Sequence, residues 1–212
     1  MSTPTAYSAT EELFHTISHA IGVVLSLAAL VFMLKLTNAQ QDITYFISSI
    51  IYGCSLILMY SSSTLYHATK NIALKNKLRQ LDHAAIFVLI AGTYTPFTLI
   101  SLHHDWGLVL FCIIWAIALL GVIIELGSGL KFKKLSLALY LGMGWLVIFA
   151  IKPMLDNVAV PGLWLLLAGG LSYSFGVIFY AAKSMYMHHV IWHLFVLAGS
   201  IFHFAAIYCY VL

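Results

Sequence analysis

A few side chains able to ligate a metal or move a proton recur at spacings that suggest one chemistry. His67 closes the stretch Ser63-Thr64-Leu65-Tyr66-His67, Asp82 precedes His83, and His189 precedes His193 by four residues. Residues four apart on a helix share a face. His189 and His193 can therefore hold one ion between them, and Ser63 sits one turn from His67. A third imidazole from His67 completes a three-histidine set with one position left for water, the pattern of a catalytic zinc site rather than a closed structural one. Imidazole also suits iron, copper and nickel. Asp82 is suited to orient a water on such an ion and to accept its proton, which a metal brings to a pKa of about 7. Ser63 is suited to donate to an oxyanion or to hold the carboxylate. Taken singly, each histidine reads as an interfacial residue bonded to a headgroup, His83 above all. An H-x3-H pair alone is a weak metal signal. The joint occurrence of His67, Asp82, His189 and His193 favours the metal reading.

The elements that must carry these residues are membrane helices. Hydrophobic residues make up 62% of the 212 positions and charged residues 8%, whereas a soluble domain carries about 25% charge. Apolar runs of bilayer-spanning length fall at about 17–36, 43–66, 84–102, 106–126, 135–151, 161–182 and 190–211. Period-two alternation, the mark of a transmembrane barrel, is missing. The expected fold is an all-α membrane protein of seven transmembrane helices forming a single domain over 1–212. Gly142 and Gly144 make the fifth span the weakest. Lys70, Lys75, Lys77, Arg79, Lys131, Lys133, Lys134 and Lys183 all fall in even-numbered connections. By the positive-inside rule those connections are cytoplasmic, with the N-terminus inside and the C-terminus outside. His67, Asp82 and His189 then lie on one side of the membrane, although the orientation was assigned from lysines and arginines.

Other polar residues carry weaker readings. His15 and His19 repeat the four-residue spacing on the inner side, as a supporting set, a separate site or, most simply, an interfacial cap. His203 lies ten residues beyond His193, about 15 Å deeper, and is expected to bond across helices or line a cavity. His103 and His104 are expected to be solvated, and Glu125 to face a loop. Cys54, Cys112 and Cys209 lack CxxC spacing and read as small buried hydrophobes. The first sixteen residues carry no Lys or Arg, so no removable secretory leader is expected. The net charge of +3 reflects loop placement rather than nucleic-acid binding.

The set S-x3-H, a downstream Asp and a final H-x3-H resembles the progestin and adipoQ receptor family, in its bacterial hemolysin III branch. The stretches carrying the resemblance are EELFHTISHAIG at 11–22, SSSTLYHA at 61–68, LDHAAIFVLIAGTYTPF at 81–97 and HHVIWHLFVLAGSIFHF at 188–204. The resemblance implies seven helices with the N-terminus inside, and a zinc held by His67, His189 and His193. It also implies Asp82 at the water, Ser63 nearby, and kinship with hydrolases of ceramide-type lipids. The expected function is a zinc-dependent hydrolase of a lipid amide or ester, with a membrane lipid as substrate or ligand, in a bacterial inner membrane. The alternative is a non-enzymatic membrane sensor or homeostasis factor with a structural zinc. An ion pathway would need polar groups spaced through the bilayer, and few are present.

Overall fold

Seven helical spans long and apolar enough to cross a membrane occur among the described residues, at the positions of the seven apolar runs. The structure is a computed structural model that describes residues 7–104, 106–128 and 130–212. The helices are α1 (Ala9–Gln40), α2 (Ile43–Ala68), α3 (Ile72–Pro96), α4 (Gly107–Ser128), α5 (Lys133–Trp145), α6 (Ile151–Asn157), α7 (Val160–Ala181) and α8 (His188–Tyr210). Sequential neighbours α1–α2, α2–α3, α3–α4 and α7–α8 pack together, and α8 closes the bundle against α1. The third span is the most enclosed: 67% of its apolar window is buried, against 44% or less in every other span.

Two helices start well before the apolar runs predict. α1 begins at Ala9 rather than 17 because Ser8 caps it. The Ser8 hydroxyl accepts from the Glu11 N–H at 3.2 Å, and the Glu11 carboxylate accepts from the Ser8 N–H at 3.0 Å. This reciprocal capping box supplies partners for backbone donors that a helix start leaves free. α3 begins at Ile72 rather than 84, where the Asn71 side chain accepts from the Leu74 N–H at 3.0 Å. Its first turns carry Lys75, Lys77 and Arg79, so hydropathy does not reveal them.

The fifth span is broken after Gly142 and Gly144, with a 3-10 stretch at Leu146–Ala150 between α5 and α6. Pro153 lacks an N–H and its ring crowds the carbonyl four residues back, which disfavours a continuous α-helix there. The Tyr94 hydroxyl serves the break. It donates to the Met143 carbonyl at 2.8 Å and accepts from the Val147 N–H at 3.0 Å.

The bundle draws small polar side chains in among its apolar core and turns an apolar face outward. Ser48, Ser55, Ser62 and Ser63 are buried, while Leu108, Leu120 and Ile123 are more than 60% exposed. Cys54, Cys112 and Cys209 are free and exposed, so the expectation that they are buried is corrected. In a bilayer the outer face is the apolar one, and a thiol there costs little. Gly169 makes room for a deep polar group: a Cβ on it would lie 2.3 Å from His203 Cδ2.

Candidate metal centre

His67 lies in the last turn of α2, while His189 and His193 occupy the first turns of α8. Packing of α1 between those ends brings the three rings together. Ring centres are 5.3 Å apart for His67–His189, 5.1 Å for His67–His193 and 4.6 Å for His189–His193. One nitrogen from each lies within 4.8 Å of the other two. His67 and His193 are buried, and His189 is half-buried with its Nδ1 covered and unpartnered.

Two side chains of α1 fix which nitrogens are free. His67 Nδ1 meets Glu12 Oε2 at 2.7 Å, and Glu12 Oε1 accepts from Lys75 Nζ at 2.8 Å. A carboxylate paired with lysine only accepts, so Nδ1 carries the hydrogen and Nε2 offers its lone pair. That Nε2 is buried without a partner. The Ser18 hydroxyl donates to the His15 carbonyl at 2.9 Å and stands 3.0 Å from His193 Nδ1. With its hydrogen committed, Ser18 accepts from Nδ1–H, which leaves Nε2 of His193 as the lone-pair nitrogen. Carboxylate or hydroxyl behind a ligating imidazole is the usual support of a metal site. Buried acceptor nitrogens without donors are costly unless something electrophilic occupies the space. The residues present therefore fit a divalent ion.

Asp82 and Ser63 line one cavity together with His189 and His193, and the Ser63 side chain lies beside the Asp82 carboxyl. The cavity has a volume of about 530 Å³, within the roughly 300–1,000 Å³ range of small-molecule sites. It extends along α7 and α8 past Tyr173 and His203 to Leu163 and Trp164, through a mainly apolar lining.

Several expectations change. His15 and His19 are not interfacial caps: they are 0% and 3% exposed, inside the histidine cluster. His83 lines the cavity rather than facing a headgroup. Glu125 faces no loop; it is buried beside Ser136 and Lys133. His203 bonds across helices, with Nε2 3.2 Å from the Leu166 carbonyl, and lines the cavity. His103 and His104 are exposed. Sequence reasoning overlooked Glu12 and Ser18. Glu12, His15 and His19 recur at i, i+3 and i+7 on one helical face, a signal visible once α1 is started at its cap.

A polytopic helical membrane protein with a buried histidine cluster capable of holding a metal is the class that fold and site define. The family described as haemolysin-III related matches residues 7–204, and the chain belongs to it. It is 42% identical to Hemolysin-3 of Bacillus cereus over 95% of this chain and 92% of that protein. It is 44% identical to a Hemolysin-3 homolog of Bacillus subtilis, covering 90% of this chain and 89% of the relative. A more distant relative is the human monocyte to macrophage differentiation factor, 29% identical over 98% of this chain and 86% of that one.

Proposed function

We propose that the protein is a zinc-dependent hydrolase of a lipid amide or ester, working within the bilayer. The observation that carries this reading is the grouping of His67, His189 and His193, two of which, His189 and His193, line an apolar cavity together with Asp82 and Ser63. When bound, zinc supplies a Lewis acid for the carbonyl and acidifies water toward neutral pH. Asp82 accepts the proton of the attacking water and returns it to the leaving amine or alcohol. Water oxygen bonds to the carbonyl carbon, the C–N or C–O bond breaks, and a carboxylic acid and an amine or alcohol result. Ser63 holds Asp82 in place, and the apolar cavity takes the acyl chain. The lysine distribution favours a cytoplasmic histidine end, and the Bacillus relatives favour a bacterial inner membrane.

The test uses zinc-loaded protein in liposomes containing a fluorescent ceramide, with free fatty acid as the readout. Wild type is expected to release it, and Asp82→Asn to keep zinc while losing about 10²–10⁴-fold in rate. Equal turnover in the variant removes Asp82 from the chemistry.

One observation favours a second reading, a sensor in which zinc is structural. The candidate ligands tie α2 to α8 over supports on α1, joining the first and last spans. Zinc ligation can contribute on the order of 10 kcal/mol to a fold. A large fall in melting temperature on metal removal, with no hydrolysis by the loaded protein, would select this reading.

A further inference from the structure

We propose that His15 is a fourth ligand of the ion, so that the resting protein holds a closed four-histidine centre. The open position needed for chemistry is then created by withdrawal of this side chain. The inference rests on the metal-centre reading above and adds to it a ligand from α1.

His15 is fully buried, and both of its ring nitrogens lack a hydrogen-bond partner. The nearest carboxylate oxygen, Glu12 Oε2, is 3.8 Å from Nδ1, beyond hydrogen-bond length. One His15 nitrogen comes within 4.8 Å of ligating atoms of His67 and Glu12, a group that shares His67 with the three-histidine set.

The ring positions carry the argument further. His15 lies 4.5 Å from His67, 4.9 Å from His189 and 5.3 Å from His193, centre to centre. The other three edges of that tetrahedron are 5.3, 5.1 and 4.6 Å. Four imidazoles around one zinc, with nitrogens at about 2.0–2.1 Å, place their ring centres about 5.2 Å apart. All six observed edges lie close to that value. The four ring centres are spaced as a tetrahedral ion would space them, and His15, whose nitrogens group with His67 and Glu12 but not with His189 and His193, would turn about its side-chain bonds to aim one inward.

His19 provides the contrast. Its nitrogens are also buried and unpartnered, yet its ring stacks on His193 at 3.6 Å and 11°. Two stacked rings cannot both direct a nitrogen at one ion, so burial without a partner does not by itself make a ligand. His15 meets the geometric condition and His19 fails it. A four-nitrogen centre has no place for an incoming oxygen, which makes His15 a gate on the proposed hydrolysis rather than a participant in it.

The test is cobalt(II) substitution of the detergent-purified protein, read by visible absorption with and without azide. Wild type is expected to show a tetrahedral cobalt spectrum that azide leaves unchanged. His15→Ala is expected to bind the ion at least about tenfold more weakly, since even an outer support of a ligand is worth 10–100-fold. Its spectrum should shift on adding azide, and free imidazole should restore the wild-type spectrum. His15→Gln gives the same readout if the alanine variant does not fold. Azide perturbing wild type and variant alike would overturn the fourth ligand while leaving the metal centre intact. Failure of both proteins to take up cobalt or zinc overturns the metal centre and this inference together.

Discussion

Replacing Glu12 by Gln tests the site through a residue that backs His67 and does not line the cavity. Glu12 Oε2 accepts from His67 Nδ1 at 2.7 Å while Oε1 accepts from Lys75 at 2.8 Å. The first bond is short and charge-assisted, and it fixes both the tautomer and the direction of the imidazole. Supports of this kind are worth about 10–100-fold in metal affinity. The Glu12 side chain is 21% exposed, so water screens part of the interaction. The expected loss therefore lies in the lower part of that range, about 10–30-fold or roughly 1.4–2 kcal/mol. Glutamine keeps the shape and one acceptor, so the fold should survive. The assay is zinc competition against a chromophoric chelator in detergent, with Glu11→Gln beside it. Glu11 carries the same charge one residue away but serves the cap of α1, so its variant should lose helix stability and keep zinc affinity within about twofold. Equal affinity in wild type and Glu12→Gln would refute the reasoning, because His67 would then not be held for an ion by Glu12.

Ser18→Ala removes the acceptor behind His193 Nδ1 and is expected to weaken zinc about tenfold, measured in the same competition. Gly169→Val drives a side chain into the His203 ring, since even its Cβ would lie 2.3 Å from Cδ2. The expected cost is about 1–3 kcal/mol, seen as a lower thermal midpoint, with zinc affinity unchanged because His203 lies about 15 Å along α8 from His193.

The spans were legible because a bilayer demands long apolar helices with every backbone group paired internally. Hydropathy could not see the polar first turns of α1 and α3, which are helical through Ser8, Glu11 and Asn71 rather than through apolar content. That blindness reached the site. With α1 started at 17, Glu12 belonged to no helix, and the face it shares with His15 and His19 went unseen. His67, His189 and His193 were legible because each sits at or near the end of an apolar run. Convergence of helix ends on one membrane side is a matter of topology alone. Burial of the cysteines was misread by applying a soluble-protein rule to a lipid-facing surface, where Cys54 and Cys112 lie exposed and the serines turn inward. Glu125 was misread for a related reason: being one residue from the end of its apolar run did not place it in water.

Charge balance supplies an argument for the ion that does not use the histidine nitrogens. Glu12 is offset by Lys75, so that corner of the site is close to neutral. Asp82 is different. It is half-buried on the most enclosed span and lines a mainly apolar cavity. Among the described residues it takes part in no ion pair within 4 Å. A carboxylate in such surroundings is costly unless a positive charge faces it. Neutral imidazoles bring none, Ser63 offers one hydroxyl hydrogen, and Lys133, which lines the same cavity, is offset by Glu125. A divalent ion on His67, His189 and His193 would place that charge at the same end of the cavity. It would let Asp82 stay ionised there, which a proton acceptor requires. The same reasoning couples the two parts of the site: Asp82→Asn removes the counter-charge and should weaken the ion slightly. A structural zinc with no partner in the cavity would leave that carboxylate unexplained.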